Sequence, residues 1–191
     1  MIPRLLNRRL KVKKLFLCVL AVALALIVPQ TTVRAADDAM PAAGQAAPTF
    51  TLPSQDGSPI SLDSYRGKWV VLYFYPKDMT TGCTIEAHNF QRDQAKYDAA
   101  NAVVLGVSVQ DVKSHQQFCT KDGLTFKLLA DPDDKVTEEY GSLKNYGVAK
   151  LAARHTFLID PQGKIVKEWM DVDPNGHSDE VLAELATLEK K

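Results

Sequence analysis

Apolar positions along the chain fall into two kinds of run. Residues 68–75 (KWVVLYFY) and 102–109 are nearly continuous and rich in β-branched and aromatic side chains, the pattern of strands buried on both faces. Shorter runs over 126–130 and 155–160 read the same way, and a Pro161-Gln162-Gly163 turn joins the second to a further strand over 164–170. A Ser54-Gln55-Asp56-Gly57 turn separates 50–52 from 60–62 and predicts a short hairpin. Between the strands, helical patterns cover 82–100, the stretch from Asp111 as cap to Gly123 as stop, 133–140 and an amphipathic 177–189. Helices that alternate with strands predict an α/β domain: a mainly parallel central sheet covered on both faces, with an antiparallel hairpin near its end.

That element order is the one of a thioredoxin-like fold, and it fills 49–191 without room for a second domain. The N-terminal stretch is different. Arg4, Arg8, Arg9, Lys11, Lys13 and Lys14 precede an apolar run over 15–28, shorter than the roughly 20 residues of a membrane-crossing helix. Val33-Arg34-Ala35 places small residues at the −3 and −1 positions of a cleavage site, so residues 1–35 are expected to be a signal peptide and 36–48 a flexible, Ala- and Pro-rich leader. An uncleaved anchor is the alternative. Cys18 does not fit a lipid acceptor, because Leu17 precedes it and the apolar run continues; Arg8-Arg9 admits a twin-arginine export route, although a basic pair is common in ordinary signal regions. The expected location is periplasmic or secreted.

This division changes the charge. The whole chain has 23 basic and 23 acidic residues, but seven of the basic ones lie within 1–35, leaving 16 against 23. An acidic domain argues against a nucleic-acid footprint or adhesion to anionic membranes and favours small molecules and proteins as partners.

Cysteine usage changes too. Cys18 leaves with the signal, and Cys83 and Cys119 remain as a pair in an oxidising compartment, a count that suits a structural disulfide as well as a catalytic one. The segment around Cys83, PKDMTTGCTIEA over 76–87, sits where a buried strand hands over to a helix. Unpaired backbone N–H groups and the positive end of the helix dipole stabilise an anion in such a first turn, which favours a reactive thiolate.

The segment resembles a known family. Pro76, Thr80 and Cys83 match the Pro-x-x-x-Thr-x-x-Cys signature of peroxiredoxins, and the flanking YFYPKD, GCT and EA read like the peroxiredoxin Q, or bacterioferritin comigratory protein, subfamily. The likeness runs from about Gly44 to the C-terminus through GVSVQDVKSHQQFCTKDGLTF and RHTFLID. The resemblance implies a thiol peroxidase without cofactor or metal that reduces hydrogen peroxide and organic hydroperoxides. Cys83 would attack the peroxide and become a sulfenic acid. Thr80 would direct its hydroxyl at the sulfur and the peroxide, Arg154 would supply a fixed positive charge, Pro76 would shield the thiolate, and Glu86 would orient the arginine.

Two positions depart from the subfamily. Its frequent second cysteine, five residues after the first, is His88 here, and Cys119 lies 36 residues downstream of Cys83 on the next helix, the other arrangement known in the subfamily. The resemblance therefore implies Cys119 as the resolving thiol of an intramolecular disulfide, re-reduced by a thioredoxin-like donor, in a monomer. Disulfides span Cα separations only up to about 7 Å, so local unwinding is expected to precede resolution. Thr81 stands where the subfamily commonly has proline.

His88, His115, His155 and His177 form no recognisable ligand spacing with either cysteine, so no metal is expected. Trp69, Tyr73, Phe74 and Tyr75 read as core. Two other functions compete. A thiol:disulfide oxidoreductase needs a second cysteine at Cys-x-x-Cys spacing, where Thr84-Ile85-Glu86 stand instead; a binding domain stapled by a Cys83–Cys119 bond needs none of Pro76, Thr80 and Arg154.

Overall fold

The computed structural model describes residues 40–188; the expected signal peptide lies outside the described residues. In chain order, β1 (Thr51–Pro53) and β2 (Pro59–Ser61) form the predicted hairpin, followed by a 3-10 turn over Leu62–Tyr65. Then come β3 (Trp69–Phe74), α1 (Thr81–Arg92), α2 (Gln94–Ala99), β4 (Ala102–Ser108), α3 (Val112–Asp122), β5 (Lys127–Ala130) and α4 (Lys135–Glu139). The chain continues through β6 (Leu143–Asn145), β7 (Lys150–Ala152), β8 (His155–Ile159) and β9 (Ile165–Trp169) and closes with α5 (His177–Leu188).

The central sheet has the order β5-β4-β3-β8-β9. Strands β3, β4 and β5 run parallel, and β8 and β9 add antiparallel pairings, as the hairpin signal predicts. Alternation along β3 divides the interior. Val71, Tyr73 and Tyr75 point into a cluster with Ala87 and Phe90 of α1, Phe118 of α3 and Val181 and Leu185 of α5. Val70, Leu72 and Phe74 point to the opposite face, against Phe50, Val136, Tyr140 and Ala152. Burial on both sides explains why these strands read as unbroken apolar runs. At the centre, Gly106 lies where a β-carbon would meet the Tyr73 ring at 2.8 Å, so glycine permits that close packing.

Two expectations need correction, and one pairing was not expected. The helix expected over 82–100 is two helices, because the chain turns at Asp93, whose buried carboxylate accepts a hydrogen bond from Ser178 of α5 at 2.8 Å. That inward pull competes with straight continuation of the helix. The antiparallel β6–β7 pair was not expected; three-residue strands are too short to display alternation.

The leader expected over 36–48 is not free throughout. Gly44 N–H donates to the Ile165 carbonyl, Ile165 N–H to the Gln45 carbonyl and Ala47 N–H to the Gly163 carbonyl, at 2.8–3.0 Å. Ala46 thus bridges antiparallel to Lys164 beside β9. Backbone pairing, which composition does not report, recruits this segment into the domain. The other side of the sheet is bordered similarly: Ser54 bridges to Leu129, and the Gln55 side chain accepts from Leu128 N–H and donates to the Phe126 carbonyl.

Candidate active site

Helix α1 starts where β3 ends, after a loop over 76–80 in which Met79 holds φ 58. That left-handed backbone costs a non-glycine residue about 1 kcal/mol or more. On α1 the buried positions are Cys83, Glu86, Ala87 and Phe90, spaced as one helical face. The same periodicity therefore sends the first-turn thiol and the carboxylate inward together.

Arg154, immediately before β8, completes the cluster. Its Nη2 donates to Cys83 Sγ at 3.4 Å and its Nη1 bonds Glu86 Oε2. Gly82 leaves room for this arm, since a β-carbon there would stand 3.2 Å from Arg154 Nη2. Cys83 is 1% exposed. The guanidinium, one-fifth exposed, bridges sulfur and a fully buried carboxylate, the geometry for holding negative charge on sulfur while presenting further donors to a bound oxygen.

Burial pushes the Glu86 carboxyl up to about 7, against the opposing pull of Arg154. The carboxylate that orients the guanidinium is thus fully charged only above that value. Below it, protonation weakens the hold on Arg154. Peroxide reactivity is expected to gain a component that falls as pH drops through about 7, and Glu86→Gln is expected to remove it. Stopped-flow pH profiles of the two proteins that coincide in shape would refute the assignment.

The other expected residues are placed as follows. Thr80 precedes α1, but its hydroxyl donates to the Lys77 carbonyl at 2.9 Å rather than to the sulfur; its oxygen retains accepting lone pairs. This corrects the expected direct aim of its proton at Cys83. Pro76 is half-buried just beyond β3. Cys119 lies on the buried face of α3 in the same apolar cluster as Cys83, and both are free thiols. Burial, followed by the nearby Asp78 charge, pushes the Cys119 thiol up to about 11, so it rests protonated.

Sequence reasoning missed a polar network beside this site. Asp78 Oδ1 accepts from Tyr75 Oη at 2.7 Å, and its Oδ2 accepts from Ser114 Oγ at 2.6 Å and His115 Nδ1 at 2.8 Å. His115 Nε2 meets the Leu129 carbonyl at 3.1 Å, and Asp78 N–H donates to Gln110 Oε1 at 2.6 Å. Burial acts to raise the Asp78 carboxyl, yet the donors, His115 foremost, hold it below its usual range. No local pattern in the sequence signals it, since Asp78 lies in a loop and Ser114 and His115 read as ordinary helix residues. Of the four buried side-chain polar atoms without a protein partner among the described residues, two, Tyr73 Oη and Glu86 Oε1, belong to this region; burial above all, then Glu86, Cys83 and Cys119, keep the Tyr73 phenol neutral.

A thioredoxin-like fold that carries a buried first-turn cysteine bound by an arginine defines a cysteine-based peroxidase. Residues 43–168 match the model of the AhpC/TSA family. The chain is 40% identical over 152 residues to peroxiredoxin Bcp of Bacillus subtilis, an alignment that covers 78% of this chain and 97% of that relative. A solved mutant of Xylella fastidiosa PrxQ superposes with a TM-score of 0.71 at 35% identity, over 76% of this chain and 97% of the other. The bacterioferritin comigratory protein of Xanthomonas campestris, whose structures are described in terms of alkyl peroxide reduction activity, gives 0.68 at 37% identity over 73% and 91%. The chain belongs to the AhpC/TSA family, within its peroxiredoxin Q/Bcp group, and is a thiol peroxidase.

Proposed function

We propose that this protein reduces hydrogen peroxide and small organic hydroperoxides through Cys83, with Cys119 as its resolving partner. The observation that carries the reading is the Arg154 guanidinium, shared between Cys83 Sγ and the buried Glu86. The Cys83 thiolate attacks one peroxide oxygen, an S–O bond forms as the O–O bond breaks, and the second oxygen leaves as water or alcohol after taking a proton. Negative charge moves from sulfur to the departing oxygen, and donors fixed along that path stabilise the transition state more than the ground state. Arg154 supplies such donors at the sulfur.

Cys119 then attacks the sulfenic sulfur; the S–S bond forms, the S–O bond breaks, and hydroxide departs with the thiol proton as water. A dithiol protein of thioredoxin type restores both thiols. The charged and apolar N-terminal pattern supports an exported protein, so that donor would act outside the cytoplasm, on a monomeric enzyme. Alkyl peroxides enter as substrates by analogy with the Xanthomonas campestris relative.

The test treats the reduced protein with one equivalent of peroxide and maps its peptides by mass spectrometry. A Cys83–Cys119 linkage, formed as peroxide is consumed, is the expected product. Consumption that leaves Cys119 as a free thiol would remove it from the resolving role.

A further inference from the structure

The Asp78 network joins the two segments that carry Cys83 and Cys119. Asp78 belongs to the 76–80 loop that leads into the first turn of α1, two residues before Thr80 and five before Cys83. Ser114 and His115 belong to α3, and Cys119 follows His115 by one helical turn on the same buried face. Across this boundary run two short hydrogen bonds, Ser114 Oγ to Asp78 Oδ2 at 2.6 Å and His115 Nδ1 to the same oxygen at 2.8 Å. Both Asp78 and His115 side chains are fully buried.

The Asp78 carboxylate lies at one ring nitrogen of His115 and the Leu129 carbonyl at the other, so both nitrogens are held from the protein. The contact pairs a buried carboxylate with a buried imidazole, and water cannot replace its members while the core is closed. Such a pair loses much of its value once either partner is withdrawn, because the other is left buried and uncompensated. It also restrains Met79, the left-handed residue directly after Asp78.

We propose that Asp78, His115 and Ser114 are positioning residues that clamp the loop before Cys83 to the helix of Cys119, hold the closed state that attacks peroxide, and release before the two cysteines join. This rests on Cys119 being the resolving thiol. The two sulfurs are buried free thiols on separate helices, and opening of the first turn of α1 or of α3 to bring them together would stretch the clamp. Contacts made only in the closed state shift the closed-to-open ratio by their own free energy. The clamp therefore accelerates peroxide attack and retards resolution, and its loss should move the two rates in opposite directions. A residue that merely supports the fold would lower both.

The experiment is single-turnover oxidation of the reduced protein and of its Ser114→Ala and Asp78→Asn variants. Stopped flow reads peroxide consumption, and acid-quenched mass spectrometry reads sulfenic acid, disulfide and sulfinic acid. Ser114→Ala removes one hydrogen bond to a buried carboxylate and is expected to speed disulfide formation by roughly tenfold. It should also slow peroxide attack and reduce the sulfinic acid formed at excess peroxide. Asp78→Asn should act in the same sense; if it does not fold, Ser114→Ala alone decides. Unchanged rates, or rates that fall together, overturn the clamp. A parent protein that forms no Cys83–Cys119 disulfide instead overturns the resolving assignment itself, so the two failures are distinct.

Discussion

An Arg154→Lys variant is expected to consume hydrogen peroxide roughly a hundredfold more slowly than the parent protein, the loss typical when one pre-placed donor is taken from developing negative charge. Arginine reaches Glu86 with one terminal nitrogen and Cys83 with the other, a planar fork that a single ammonium cannot reproduce. Lysine keeps the positive charge, so the experiment separates geometry from charge. The check is the second-order rate constant at fixed pH, with thermal unfolding run alongside to exclude global damage. A variant within a factor of about three of the parent would show that charge alone suffices and that the bridging geometry is incidental.

A larger effect is expected from Cys83→Ser, which should lower peroxide consumption to that of an unactivated thiol. Serine nearly preserves the volume of this 1%-exposed side chain, so the fold should persist, but its hydroxyl does not ionise near neutral pH and is a weak nucleophile without a base. The informative comparison is Cys119→Ser. That protein should consume one equivalent of peroxide and stop as a sulfenic acid that a dimedone-type trap captures. Equal residual activity in both serine variants would contradict the division of labour between the cysteines and would favour a structural pair.

How far the site could be read in advance depended on sequence distance. Cys83 and Glu86 share a helix, and the i, i+3 spacing alone places them on one face. Arg154 lies 71 positions away from Cys83, and only the family resemblance brought it to the site; its placement depends on β8 pairing with β3, a contact that local pattern does not encode. The clamp was less accessible still. Asp78 and His115 are 37 positions apart, each an isolated polar residue that fits a loop or a helix surface, and His115 entered only as an unsupported metal ligand. Continuous apolar strands were legible because both faces are buried. The β6–β7 pair and the turn at Asp93 were not, since one is too short for periodicity and the other is set by Ser178 in a distant helix.

The segment that pairs beside β9 bears on how much of the sheet's edge is left open to other chains. Exposed strand margins template intermolecular sheet growth, yet each margin of this sheet is partly occupied from within: residues 44–47 pair with the turn into β9 and its first residue, Ile165, and Ser54 with Gln55 sit along β5. A chain shortened to begin at Thr49 would keep Cys83, Glu86, Arg154 and Cys119 but bare the N–H and carbonyl of Ile165. Its chemistry would survive in dilute solution while its tendency to self-associate into aggregates rose. The residues with the least conspicuous sequence therefore act as the guard of the sheet.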